Sequence, residues 1–268
     1  MTLDRRSALR TGAGLAAAGA LTAGCSSSDP APARPPASGT RNASAGPAAA
    51  SPSPSRSAGP APGPRRFPGQ PAQIAHGPAT RPQVALTFHG QGDPAIARAL
   101  LTEAEKAGAR VTVLAVGTWL DEHPDMARRV LDGGHDLGNH TLHHLGINTM
   151  SEAEARAEIT GCADRLRRLT GSIGSWFRPS RAQEASPQVQ RIAASVGYPH
   201  VLSYDVDSLD FTSPGASAVV RNATGPARAG SVVSLHFGYA DTVAALPGVL
   251  EELHRRGLRA VTTTELLT

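Results

Sequence analysis

From residue 83 to its end the chain alternates between two kinds of segment. Short segments that read as strands fall at residues 83–89, 110–116, 135–139, 173–178, 200–205, 231–236 and 258–263. Helix signals lie between them. Asp93-Pro94 reads as an N-cap and first turn opening a helix to residue 107. Ser151-Glu152-Ala153-Glu154 is a capping box for a long helix to about residue 169. Ser186-Pro187 opens a helix that Gly197 ends, and residues 124–131, 216–223 and 243–256 complete the set. Strand and helix in turn, about seven times, predict an α/β fold with a parallel sheet and helical crossovers, either a barrel or a doubly wound sheet. Gly90-Gln91-Gly92 after the first run lacks the full glycine pattern of a dinucleotide site.

The first 72 residues stand apart from this pattern. Arg5-Arg6, an Ala/Gly/Leu-rich stretch over 11–24 and Thr-Ala-Gly before Cys25 read as an export signal (1–25) with a lipid-attachment cysteine. The stretch is too short and too rich in glycine to span a bilayer. The expectation is an extracytoplasmic protein, held at the membrane through Cys25 or secreted. Residues 26–72 are mostly Ser, Pro, Ala and Gly with scattered Arg. Such a segment buries too little apolar surface to offset chain entropy, so a disordered tether is predicted. Residues 73–268 remain as a single globular domain, long enough for one core; a monomer is expected.

Charge follows the same partition. The chain has 26 basic and 22 acidic residues, but eight arginines and only two aspartates lie in residues 1–72. The globular part therefore holds 18 basic and 20 acidic residues. It shows no basic patch, which argues against nucleic acid as a partner. Cys162, the one cysteine of that part, falls in a helical pattern as a small buried hydrophobe.

Four of the ten histidines lie within residues 135–144. His140 and His144 are four apart, and if the chain turns helically there two imidazoles reach one ion. Two ligands do not make a site, so others must come from elsewhere. The strand ends offer them: His89, Arg178, Asp205, Asp207 and His236 all fall at C-terminal ends of apolar runs. In parallel barrels that end carries the active site.

The order of these residues resembles the polysaccharide deacetylases of carbohydrate esterase family four, the NodB-homology domain, over about residues 83–268, nearly all of the globular part. His140-Thr141-x-x-His144 matches the second motif, Arg178-Pro179 the third, Asp207-Ser208-Leu209-Asp210-Phe211 the fourth with Phe for Trp, and Leu235-His236 the fifth with Phe237 for Asp. The resemblance implies an irregular (β/α)7-type barrel that uses a divalent metal, often zinc, to remove acetyl groups from an acetylated glycan. It implies His140 and His144 as metal ligands, His236 as general acid, Asp207 supporting its charged form, and Arg178 orienting the base.

The first motif departs most. The family reads T-F-D-D-G, whereas this chain reads Thr87-Phe88-His89-Gly90-Gln91. The positions of the base and of the third ligand thus carry His89 and Gly90. Two repairs are open: Asp93 as third ligand with His89 as base, or His89 as third ligand with His236 handling both proton transfers. The rival is a glycan-binding pseudoenzyme on the same barrel. A two-lobed solute-binding lipoprotein fits one barrel poorly. Trp176 and Phe211 are candidate sugar-stacking walls, Trp176 equally a core residue, and His143 is expected to point outward.

Overall fold

The computed structural model describes residues 60–268. The expected export signal, Cys25 and residues 26–59 lie outside the described residues. The tether, expected to reach residue 72, gives way earlier, because residues 60–72 form a strap packed on the domain. Ala61 N donates to Thr170 O at 2.9 Å and Ser172 Oγ to Pro62 O at 2.9 Å. Phe67 is buried and stacks on Trp176, ring centroids 5.4 Å apart. His200 holds the strap through both ring nitrogens. Its Nε2 accepts from Phe67 N at 3.0 Å and its Nδ1–H donates to Pro71 O at 2.7 Å. A buried aromatic ring and satisfied backbone groups outweigh the proline-rich composition. The strap ends as β1 (Gln73–Ile74).

β2 (Gln83–Gly90) is buried along its whole length. Val84, Leu86 and Phe88 pack toward the helices, whereas Ala85 joins Leu114, Trp176 and Val232 on the other side. α1 (Pro94–Lys106) starts as read, with Asp93 as its cap. β3 (Thr112–Ala115) is followed by two short helices, α2 (Gly117–Glu122) and α3 (Asp125–Asp132), where the sequence signalled one. β4 (Asp136–Asn139) leads to α4 (Glu152–Thr170), whose capping box is made in both directions. α5 (Pro187–Val196), β5 (Val201–Leu202), β6 (Val206–Asp207), α6 (Ala216–Thr224) and β7 (Val232–His236) follow. α7 (Ala240–Arg255), β8 (Arg259–Val261) and α8 (Thr263–Leu266) complete the chain.

The strand order is β4-β3-β2-β7-β6, all parallel, with β8 also paired to β2. β8 takes Gln83–Ala85 and β7 takes Ala85–His89. The fourth expected strand contracts to one bridging residue, Phe177, which joins Asn139 to Val201. Gly174, at φ 84°, interrupts the extended backbone on one side, and Pro179 has no N–H on the other. Residues 201–207 then close the ring. β5 pairs with β1 and Phe177, and β6 pairs with β7. The result is the expected irregular α/β barrel.

The barrel interior is layered. Its N-terminal end is filled by Phe67, Trp176, Val261 and Leu266. Trp176 is 2% exposed and its Nε1 donates to Asp136 Oδ2 at 3.1 Å, at the start of β4. It is a plug of the core, not a sugar-stacking wall. Thr87 and Ser234, register partners on β2 and β7, lie above it. His89 and His236, the next partners on the same face, open the C-terminal end, the mouth.

Candidate metal centre at the barrel mouth

His140 follows β4, fully buried, with its N–H on Ala115 O at 2.9 Å. His144 reaches the same place through a loop, not through the helical turn that the spacing suggested. Thr141 and His144 both have left-handed backbones, φ 69° and 56°. Polar side chains hold that bend. Asn139 Oδ1 accepts from Thr141 N at 2.9 Å, and Thr141 Oγ1 accepts from His144 N at 3.2 Å and donates to Ser180 Oγ at 3.0 Å. Ring nitrogens of His89, His140 and His144 lie within 4.8 Å of one another.

Hydrogen bonds assign the tautomers. His140 Nδ1–H donates to Arg178 O at 3.0 Å, which leaves its Nε2 with a lone pair. That Nε2 is buried and has no partner. Arg178 is fully buried and donates to Leu202 O at 3.2 Å, to Ser203 O at 2.9 Å and to His89 Nε2 at 3.3 Å. A guanidinium has only donors, so Nε2 of His89 accepts and the remaining ring nitrogen is Nδ1. Ser234 Oγ lies 3.2 Å from the same Nε2. Burial pushes the pKa of His89 and His140 well below the usual imidazole value, and neighbouring histidines add to the effect. His144 is lowered to about 4, first by burial and then by the charge of Arg181. All three are neutral at pH 7, as ligand imidazoles must be.

His236 is not supported by Asp207, as the resemblance implied, but by Asp210. Asp210 Oδ1 accepts from His236 Nδ1 at 2.7 Å, and its Oδ2 accepts from His236 N at 2.8 Å and Thr242 Oγ1 at 2.7 Å. Asp207 instead accepts from Leu209 N at 3.0 Å on the cavity wall. The chain turns tightly through residues 210–212 after β6, which carries Asp210 back under His236.

Asp93 does not reach the cluster. It is exposed, and its Oδ1 accepts from Ala95 N at 2.8 Å as the cap of α1. Its loop is also clamped. Gly92 O accepts from Trp119 Nε1 at 2.7 Å, and a Cβ on Gly92 would lie 2.8 Å from Gly238 Cα. Nor is there room for the missing carboxylate at position 90. A Cβ there would lie 2.9 Å from Val113 Cγ1 and 3.1 Å from Ala115 Cα. His143 points outward, its Nδ1 on Glu158 at 2.6 Å. His135 is structural: its Nδ1 accepts from Val111 N at 3.1 Å and its Nε2 lies 3.1 Å from Glu105.

The mouth is a cavity of about 340 Å³ that reaches His89, His144 and His236. Tyr204, Tyr239 and Arg181 line it as well, and sequence reasoning missed all three. Phe211 is 44% exposed at its rim, its ring centroid 5.3 Å from that of His236. A larger hollow of about 700 Å³ lies between α1, α7 and β8, and none of the clustered histidines lines it.

The family model described as polysaccharide deacetylase matches residues 76–201. The peptidoglycan-N-acetylglucosamine deacetylase of Bacillus cereus is 31% identical over 188 residues, covering 69% of this chain and 87% of that protein. The chitooligosaccharide deacetylase of a Bradyrhizobium species is 26% identical over 197 residues, covering 65% of this chain and 85% of that protein. A CE4 family pseudoenzyme from Bacillus anthracis has the same fold, with TM-score 0.69 at 24% identity over 74% of this chain and 70% of that one.

Proposed function

This chain belongs to the polysaccharide deacetylase family, and from that premise we propose that it is a metal-dependent hydrolase that removes acetyl groups from an acetylated cell-envelope glycan. The observation that carries the reading is His140 Nε2, a buried lone pair with no partner that lies beside two further imidazoles. Leaving such an atom unpaired costs about 1–3 kcal/mol, and a cation removes that cost. The backbone carbonyl on its Nδ1–H is the arrangement that orients metal-binding histidines. The donor set therefore fits a divalent metal such as zinc, held by His140, His144 and His89. His89 takes the third place because Asp93 is held at its cap and position 90 has no side chain. For His89 to offer Nδ1, its proton would move to Nε2 and be accepted by Ser234 Oγ, and Arg178 would give up its bond to Nε2 while keeping those to Leu202 O and Ser203 O.

The metal supplies Lewis acidity toward the acetyl carbonyl and toward water. The residues do the rest. With Nδ1 on the metal and Nε2 protonated toward Ser234 Oγ, His89 would keep no free lone pair and so could not serve as base. Asp210 fixes the tautomer of His236, with Nε2 as the free nitrogen. His236 takes the proton as water adds to the acetyl carbon, and Asp210 faces the imidazolium that forms. It then returns that proton to the departing amine as the C–N bond breaks. Phe211 offers a face to a sugar ring.

The leader extends the reading to place. Arg5-Arg6 and Cys25 support export and lipid attachment. The relatives named as peptidoglycan deacetylases support an extracytoplasmic substrate. Among the described residues no helix is long and apolar enough to cross a membrane.

A second reading, a glycan-binding pseudoenzyme, is favoured by one observation: no carboxylate stands where the family has its base. Acetate release from acetylated glycan by the metal-loaded chain decides between the two. Release that is lost in His236→Ala supports the hydrolase. Glycan binding that weakens in Phe211→Ala, with no release from any acetylated glycan, supports the pseudoenzyme.

A further inference from the structure

We propose that the floor of the barrel is a basic face that lies on the phosphate headgroups of an anionic bilayer and turns the mouth away from it. The proposal is independent of the chemistry at the mouth.

The fold collects what the sequence scatters. Segments that lead into strands lie at the floor end. They carry Arg81 before β2, Arg110 before β3, Arg228 before β7, and Arg256 and Arg259 at β8. The strap adds Arg65 and Arg66, and all seven arginines are exposed. Residues 60–72, 75–82, 107–111, 225–231 and 256–259 hold no aspartate or glutamate. Hydrogen bonds gather four of the arginines around α8, whose Leu266 fills the floor. Arg81 Nη2 donates to Glu265 O at 3.0 Å, Arg259 Nη2 to Glu265 Oε1 at 2.9 Å, and Arg110 to Glu265 Oε2. Arg65 Nη2 donates to Thr268 Oγ1 at 3.3 Å. One side-chain carboxylate, Glu265, therefore stands among four guanidinium groups. Arg256 Nη2 donates to Ala227 O at 2.6 Å, beside Arg228, whose Nη2 lies 3.6 Å from Asp205 Oδ2. A helix dipole accounts for Arg256, which directly follows α7. It does not account for Arg65, Arg66 and Arg81, which lie in the strap and in the link from β1 to β2.

The mouth end has the opposite sign. Asp93, Glu122, Glu152, Glu154 and Glu184 are exposed there, against Arg181. A field of this shape orients the domain on an anionic surface as well as attracting it. The chain also joins the domain at the basic end. A Cβ on Gly171, which directly follows α4, would lie 3.0 Å from Pro60 Cβ, and Ala61 N donates to Thr170 O at 2.9 Å. With Cys25 ahead of this entry point as the expected lipid-attachment site, a bilayer is the anionic surface that fits the floor.

The test uses the full chain with Cys25→Ser, so that no lipid masks the floor, and vesicles of phosphatidylcholine with or without phosphatidylglycerol. Arg66→Glu, Arg81→Glu and Arg228→Glu together reverse the floor. Arg98→Glu, Arg156→Glu and Arg191→Glu together make the same change in net charge on exposed helix positions away from it. Sedimentation with the anionic vesicles at low salt is expected to weaken about tenfold or more in the floor variant and within about threefold in the helix variant. The leader and tether are common to both, so the difference belongs to the domain. Thermal unfolding checks that both variants are folded. Amide exchange of the Cys25→Ser chain on vesicles needs no charge reversal: protection is expected in residues 75–82 and 225–231 and not in 208–215. Equal binding by the two variants, or protection at 208–215 instead, overturns the proposal. Release from the vesicles by soluble polyglycerol phosphate at matched phosphate concentration overturns the lipid assignment in favour of an anionic polymer.

Discussion

The Arg178 guanidinium donates to His89 Nε2 at 3.3 Å, deep in the barrel mouth, and among the described residues no carboxylate is hydrogen-bonded to either side chain. Burial lowers the pKa of Arg178 to about 10, so it stays charged at neutral pH. A buried cation without a bonded anion is costly, and three neutral acceptors offset that cost here. Without a metal this pairing uses the Nε2 lone pair of His89; with Nδ1 on a metal Nε2 would carry the proton instead, and neither state leaves a lone pair for a base. The proton work therefore falls to His236 and Asp210.

Asp210→Asn is expected to lower kcat by roughly 10²–10⁴-fold, because His236 loses the acceptor that fixes its tautomer. Asp207→Asn is expected to have a much smaller effect, because its carboxylate accepts from Leu209 N and not from His236. Steady-state acetate release from the two variants side by side checks this. Equal losses would return Asp207 to the role that the resemblance implied.

Gly90→Asp is expected to destabilise the fold by about 1–3 kcal/mol through overpacking, and to leave metal affinity unimproved. The added Cβ meets Val113 and the backbone of Ala115, both in β3, so the new carboxylate cannot take up a ligand position without moving a strand. Urea unfolding and metal titration of the variant test both halves.

Trp176→Ala is expected to cost about 3–5 kcal/mol, the range for removing a large buried aromatic. It also strips the stacking partner of Phe67 and loosens the strap. Phe211→Ala, at an exposed site, is expected to leave stability nearly unchanged and to weaken glycan binding. Thermal unfolding and glycan titration of both variants should show opposite patterns.

His135 gives the acid limb of stability a definite sign. Burial lowers its folded pKa below 6.5, and Glu105 offsets this only in part. Below pH 6.5 the unfolded chain therefore binds more protons than the folded one. Stability is lost as pH falls from 6.5 through the folded pKa, and the contribution is fully present above 6.5. His135→Gln is expected to be less stable at pH 8 by about 1–3 kcal/mol, from its broken hydrogen bonds to Val111 and Glu105. The gap should narrow as pH falls below 6.5. Urea unfolding from pH 8 to 4 measures it, and a constant gap would remove His135 from the acid limb.

The barrel was legible because five of the seven expected strands form as single strands between clear caps, whereas the fifth splits into β5 and β6. The fourth was not, because Gly174 and Pro179 leave Phe177 only a bridge to make. The strap was hidden by its composition: one phenylalanine in a proline-rich segment carries no periodicity, yet Phe67 fills the barrel floor. His140 and His144 were found by their spacing, although a left-handed loop rather than a helix unites them. Asp207 and Asp210 stand in one motif, and only the turn after β6 decides which meets His236. Tyr204, Tyr239 and Arg181 gave no signal, since no pattern in sequence places them on a common cavity.

Zinc titration of the stripped full chain by calorimetry, beside His140→Ala, His89→Ala and Asp93→Ala, tests the central claim most directly. The three-histidine centre requires one-to-one binding that is lost in His140→Ala, weakened in His89→Ala and unchanged in Asp93→Ala. A wild-type chain that binds no zinc would contradict the account. So would binding that depends on Asp93 and is indifferent to His89.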